Sequence, residues 1–222
     1  MKKIIALAIA SFLGLTAFAQ KPIYLLPESV KGHMVFANGS TADVYWNFDT
    51  CYQKIYFLQG KNIMEMTNME SLLALSSEDR KFVMHDGRLC EVIDRDGEQT
   101  LVNWKFRKVN KGSIGAMGAT TQNKVEVLWS HLDEDEYVEG GINAFQQGEH
   151  AREVWTERSD NTYFFEVGGV YYGAKRLKDL YRSFPAAAPR LKAFVKENKL
   201  TMENADNALK VLHELRQILV SL

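Results

Sequence analysis

The chain has 222 residues, of which 46% are hydrophobic and 25% charged, with a formal net charge of −1. Such a composition excludes a disordered chain, and the length is enough to bury a core without a metal or a disulfide. Near-neutrality argues against non-specific binding of nucleic acid, which needs a basic surface to displace counterions from phosphates.

The first residues read as an export signal. Lys2 and Lys3 give a positive start, residues 4–15 an apolar stretch, and Ala17-Phe18-Ala19 the small-x-small pattern cut by signal peptidases. Cleavage is expected between Ala19 and Gln20. The apolar run is shorter than the ~20 residues that span a bilayer, and no cysteine stands at the cut to carry a lipid. Loss of Lys2 and Lys3 lowers the net charge from −1 to −3. The expected mature protein lies in the periplasm or outside the cell and has no transmembrane segment.

Residues 20–30 carry Pro22 and Pro27 and read as an extended lead-in. A meander follows. Strands are expected over 31–37, 41–48, 52–58, 62–66, 71–75, 81–84, 89–93 and 101–108. Asn38-Gly39, Asp86-Gly87 and Asp96-Gly97 punctuate them, and the type I′ turn favours such pairs because it needs positive φ at both centres. In 41–48, Ala42, Val44, Trp46 and Phe48 share one face; Thr41, Asp43, Tyr45 and Asn47 share the other. Residues 52–58 are apolar on both faces, as if covered twice, with the C-terminal helices on one side. In the last strand Val102, Trp104 and Phe106 are expected to face inward.

The stretch 110–123, with Gly112, Gly115 and Gly118, reads as a flexible loop. Residues 125–129 regain strand character, 131–148 are acidic and irregular, and 153–157, 163–167 and 170–172 are strands with a Gly168-Gly169 turn. The tail is helical. Leu177, Leu180, Tyr181 and Phe184 stand at helical spacing before Pro185; Pro189 opens a second helix that Asn198 ends; Asn204 caps a third. The expected organisation is a signal peptide over 1–19, a β-rich body over 20–172 and a helical segment over 173–222 packed on it. The fold class is α+β: an antiparallel, meander-rich sheet, as a sandwich or partly open barrel, with a C-terminal helical appendage.

Several stretches carry a resemblance: FANGSTADVYWNFDTCYQKIYFLQGKNIMEMTNMESL, RKFV, RKVNKGSIGAMGATTQ, YFFEVGGVYY and LYRSFPAAAPRLKAFVKENKL. Through them the mature chain resembles an uncharacterised family of exported bacterial proteins. The resemblance implies a secreted, turn-rich β body with a helical tail, and it implies no activity and no site residue.

The motifs for chemistry are weak. The run of Gly112, Gly115 and Gly118 lacks the Lys and the following helix of a phosphate loop. His131, Asp133, Glu134, Asp135, Glu136 and Glu139 could offer oxygen ligands to Ca²⁺, yet Val138 stands where an EF-hand needs glycine, so a solvated acidic stretch is the ordinary meaning. His33, His85, His131, His150 and His213 are scattered, and neither HExxH nor GxSxG occurs. Cys51 and Cys90 are either a disulfide suited to export or two buried thiols acting as small hydrophobes. Glu65, Glu91, Glu153 and Glu166 are carboxylates without a visible pairing. Tyr45, Tyr52, Tyr56, Tyr163, Tyr171 and Tyr172 could form an aromatic platform for a protein or a glycan, or serve as strand residues.

No catalytic, metal or cofactor-binding residue is therefore assigned from sequence, and no cofactor is expected. The leading expectation is a non-catalytic exported protein that binds a protein or glycan of the envelope. The alternatives are an exported hydrolase with a site assembled from distant residues, and a carrier of an apolar ligand. A deep cleft of converging titratable groups would favour the hydrolase, an apolar cavity the carrier, and a flat exposed apolar patch the binding protein.

Overall fold

A computed structural model describes residues 22–114, 120–121 and 152–222. Ten strands form one antiparallel sheet: β1 (Val30–Phe36), β2 (Thr41–Asp49), β3 (Lys54–Gln59), β4 (Asn62–Glu65), β5 (Leu72–Ser77), β6 (Arg80–His85), β7 (Arg88–Arg95), β8 (Glu98–Asn103), β12 (Thr162–Val167) and β13 (Val170–Ala174). Their order is β13-β12-β8-β7-β6-β5-β1-β2-β3-β4. A smaller sheet places β9 (Phe106–Ile114) between β10 (Thr120–Thr121) and β11 (Arg152–Ser159). Three helices follow: α1 (Leu177–Ser183), α2 (Ala188–Glu197) and α3 (Ala205–Val220). The class is α+β, and the large sheet does not close into a barrel.

The strands form where the side-chain period is two and the turns can reverse. Asp86-Gly87, Asp96-Gly97 and Gly168-Gly169 all have positive φ at both centres, as a type I′ turn requires. Asn38-Gly39 differs from expectation, because only Gly39 has positive φ. Gly39 N–H donates to Phe36 O, while Asn38 Oδ1 accepts from Ser40 N and Oγ. The longer loop relieves Asn38 of the left-handed conformation.

One face of the large sheet carries two cores. Met34, Trp46, Phe48, Ile55, Leu72, Leu75, Phe82 and Leu89 enclose the first, with Leu26 from the lead-in. The sheet curls around it until the β2–β3 turn reaches the end of β8: Gln53 Nε2 donates to Trp104 O, Asn103 Nδ2 donates to Gln53 Oε1, and Phe106 N–H donates to Thr50 O. Asp49 shapes that turn, its Oδ1 accepting from Cys51 N and Tyr52 N. Gly32 lets the Trp46 indole lie across β1; a Cβ there would stand 2.5 Å from Nε1.

The second core joins Val102, Tyr163, Phe165 and Ala174 to the helices. Helix α3 buries Ala208, Leu209, Val211, Leu212, Leu215 and Ile218, its Asn204 cap accepting from Asn207 N–H. Arg216 and His213 both reach Glu98 at 3.1 Å and fasten α3 to β8. The helices thus cover β8, β12 and β13. They do not cover β3, whose residues other than Ile55 are only partly buried or exposed, so the expected double covering of 52–58 is absent.

A second correction concerns the strand expected over 101–108. It breaks at Trp104-Lys105, and the chain passes from β8 in the large sheet to β9 in the small one. Lys105 N–H donates to Asn161 Oδ1 and Lys105 O accepts from Asp160 N–H, so hydrogen bonds leave the ladder at this point. The stretch 110–123 likewise begins as strand, with residues 110–114 in β9. The strand expected over 125–129 and the acidic stretch 131–148 lie outside the described residues.

Candidate functional site

The face of β2, β3 and β4 away from the first core is built by alternation. Trp46, Ile55 and Phe57 point inward, so Tyr45, Tyr56 and Leu58 point outward. Leu58 pairs with Ile63 of β4, and Tyr56 with Glu65. Tyr24 of the lead-in meets Tyr56 edge-on at 6.2 Å between ring centroids. The result is an apolar strip in which Ile63 is 67% exposed, Tyr45 53% and Tyr24 44%. An ion pair of 2.6 Å between Lys54 Nζ and Glu65 Oε1 rims it. Its hydrogen bond with Glu65 raises the Lys54 pKa, while burial and then the Glu65 charge push the Tyr56 phenol up. All four residues of β4 are exposed, and among the described residues β4 is an edge with one side of its backbone unpaired.

A cavity of about 200 Å³ opens where β8 stops and the curl of the sheet brings the β2–β3 turn to it. Gln53, Met69, Gly87, Arg88, Leu89, Asn103, Lys105, Thr162 and Lys175 line it. It therefore draws on the β2–β3 turn, the β6–β7 turn, the β8 end, the start of β12 and the residue after β13.

The chain, compared with known proteins, matches no family model, no curated protein and no solved structure. The reading of its surfaces rests on their chemistry alone.

Most of the sequence candidates are not brought together; Glu166 and Tyr171, paired across β12 and β13, line a hollow of about 390 Å³ with Gly97, Glu98, Gln99 and Arg216. Tyr163 is fully buried under the helices, its hydroxyl donating to Met202 O, and Tyr172 stacks on Phe165 in the second core. Tyr52 is exposed in the β2–β3 turn, and Tyr171 lies beside His85, far along the sheet order from Tyr45 and Tyr56. Only Tyr45 and Tyr56 share the strip, joined by Tyr24, Leu58 and Ile63, which the tyrosine count overlooked.

Among the carboxylates, Glu65 serves Lys54 and Glu166 is exposed on β12. Glu91 is buried, with Arg80 Nε and Nη2 each donating to it at 2.7 Å and Trp104 Nε1 at 2.6 Å. Glu153 belongs to β11, and its side chain lies outside the described residues. His33 pairs with Asp43 at 2.8 Å, a hydrogen bond that lowers the Asp43 pKa. His85 sits between Phe164 and Tyr171, at 4.7 and 5.0 Å between ring centroids. His131, His150 and the acidic run from Asp133 to Glu139 lie outside the described residues.

Cys51 and Cys90 are both free, which decides against the disulfide. Cys51 is half-buried in the β2–β3 turn. Cys90 is buried with Leu101 and Phe164 on the sheet face away from the helices, where burial pushes its thiol pKa up to about 12. Among the described residues, no group of three or more His, Cys, Asp or Glu is placed to hold a metal, and no helix is long and apolar enough to cross a membrane.

Proposed function

We propose that the protein is an exported, non-catalytic binding protein of the cell envelope or its surroundings, whose partner is a protein segment seated on the β2–β4 face. One observation carries this reading: the exposed strip of Tyr24, Tyr45, Tyr56, Leu58 and Ile63 runs out to the unpaired edge of β4. An extended segment can add a strand to such an edge, its main chain supplying hydrogen bonds and its alternate side chains meeting Ile63 and Leu58. A glycan would use the rings and leave the β4 backbone unsatisfied. Export is supported by the Lys2-Lys3 start and the Ala17-Phe18-Ala19 pattern, together with the resemblance to exported bacterial proteins.

The hydrolase alternative is not favoured: the cavity at the end of β8 is lined by neither carboxylate nor imidazole, and in the second hollow of about 390 Å³, lined by Gly97, Glu98, Gln99, Glu166, Tyr171 and Arg216, Glu98 is already held by Arg216 and His213. The carrier alternative is not favoured either, because three cations, Arg88, Lys105 and Lys175, stand in the lining of the cavity at the end of β8.

The test is affinity capture from an envelope fraction with the mature chain as bait, run beside Ile63→Lys and Glu65→Pro, because the pairing of Met66 N–H with Ile55 O turns the Glu65 N–H toward the open edge. A stoichiometric protein that is retained by wild type and lost from both variants, with melting temperatures unchanged, supports the reading. Equal capture by Glu65→Pro removes strand addition. Retention of a glycan rather than a protein replaces the partner class.

A further inference from the structure

The cavity at the end of β8 has no part in the strip just described. We propose that it is a second site, for a small hydroxylated carboxylate of the class that includes sugar acids. Three cations, Arg88, Lys105 and Lys175, stand in its lining, and no lining residue is acidic. Two of the three have carboxylate partners, both solvent-exposed. Asp160 is 3.4 Å from Lys175 Nζ with its side chain 36% exposed, and Asp86 is 3.8 Å from Arg88 Nη2 with its side chain 69% exposed. Lys105 forms no ion pair among the described residues. Exposed pairs of this kind are worth little and leave the cavity positive.

The neutral groups narrow the ligand further. Both Nδ2 protons of Asn103 are used, one on Gln53 Oε1 at 2.8 Å and one on Leu89 O at 3.0 Å. Both Nε2 protons of Gln53 go to backbone oxygens, Thr50 O and Trp104 O. The amides therefore donate into the protein, and no donor among the described residues reaches Asn103 Oδ1. That free oxygen, in a lining that also carries Lys105, Lys175 and Arg88 (whose guanidinium lies 5.7 Å from the Phe164 ring centroid), suits a ligand with both O–H groups and a negative charge, with Thr162 adding a hydroxyl that can give or accept. Leu89 and Met69 supply an apolar wall for the carbon skeleton. A volume of about 200 Å³ corresponds to roughly seven waters at their liquid density, enough for one small ring or a short hydroxy acid.

Isothermal titration of the full mature chain with D-glucuronate tests this, with D-glucose and sulfate as controls. Glucuronate is expected to bind saturably and more weakly as salt rises, glucose not at all, and sulfate at least tenfold more weakly than glucuronate. Lys105→Met and Lys175→Met are each expected to weaken glucuronate at least tenfold while the melting temperature stays put. Absence of saturable heat with glucuronate at about 10 mM, a concentration that detects even millimolar affinity, overturns the site. Unchanged affinity in both lysine variants does the same. Sulfate binding as tightly as glucuronate overturns the role of Asn103 and the carboxylate class with it. Ile63→Lys should leave glucuronate binding intact, so this site and the β2–β4 face stand or fall separately.

Discussion

Glu91 is the most informative residue to perturb. It lies on the inner face of β7 between Leu89 of the first core and Ile93, which packs against the second. It is only 8% exposed and accepts three short hydrogen bonds, two from Arg80 and one from Trp104. In Glu91→Leu the volume is roughly kept while the guanidinium and the indole N–H lose their acceptor. Breaking a buried pair this way costs about 3–5 kcal/mol. The Arg80 side chain is 31% exposed and can turn toward water, so the low end applies. A loss of about 3 kcal/mol corresponds to roughly 6–12 °C in melting temperature for a chain of this size. Arg80→Met/Glu91→Leu removes both charges but still leaves the Trp104 N–H without its acceptor, so it should regain only part of the loss and lie about 1–2 kcal/mol below wild type. Urea denaturation followed by circular dichroism gives all the values from one set of curves. A single-variant loss below about 1 kcal/mol would show the pair to be ornamental. A double variant as unstable as the single one would show that Glu91 contributes packing rather than charge.

Two further predictions follow from packing and titration. Gly32→Ala places a methyl group 2.5 Å from Trp46 Nε1, so the indole must shift; a cost of about 1–3 kcal/mol is expected, with a change in tryptophan fluorescence, and an unchanged spectrum would mean the ring never lay there. For Cys90 the sign is set by desolvation, which raises the folded pKa from 9.0 to about 12 and so favours the protonated thiol in the folded state. Its contribution is complete below pH 9 and is lost as pH rises toward about 12, so the wild type should lose stability across that window faster than Cys90→Ala. At pH 8, alkylation should modify Cys51 first and reach Cys90 only on unfolding; simultaneous labelling would contradict the burial of Cys90.

Much of the sheet is legible in sequence because its faces alternate and its turns are chemically marked. Thr41 to Phe48 alternates cleanly, and the two Asp-Gly pairs and Gly168-Gly169 adopt the φ values their composition favours. The break at Trp104-Lys105 is invisible for the same reason, since Val102, Trp104 and Phe106 continue the alternation straight through it. What ends β8 is non-local: Asn161 and Asp160 take the hydrogen bonds of Lys105 from more than fifty residues away. The cavity is hidden more deeply, because Gln53, Arg88, Asn103, Thr162 and Lys175 share no spacing and meet only when the sheet curls. The strip was half legible. Tyr45 and Tyr56 stand in strands with outward alternation, but nothing in the chain marks β4 as an edge, and that property gives Ile63 its importance.

The departure of the chain at Asn103 has a consequence for how the protein can change. It returns at Thr162, which pairs directly with Asn103, so β8 and β12 are neighbours in the sheet although residues 104–161 separate them. The two ends of that excursion are clasped together by Lys105, Asp160 and Asn161. Among the described residues, the other bonds that tie the excursion to the rest of the protein also lie near its ends: Trp104 to Glu91, Phe106 N–H to Thr50 O, and Arg158 to Glu203. Since loop-closure cost grows only with the logarithm of length, insertions or deletions beyond the clasp alter folding free energy by fractions of a kcal/mol per doubling, about 0.6. Such an arrangement lets one part of a gene vary freely while another stays fixed, and a chain shortened to a tight turn between Lys105 and Asp160 should still build the sheet.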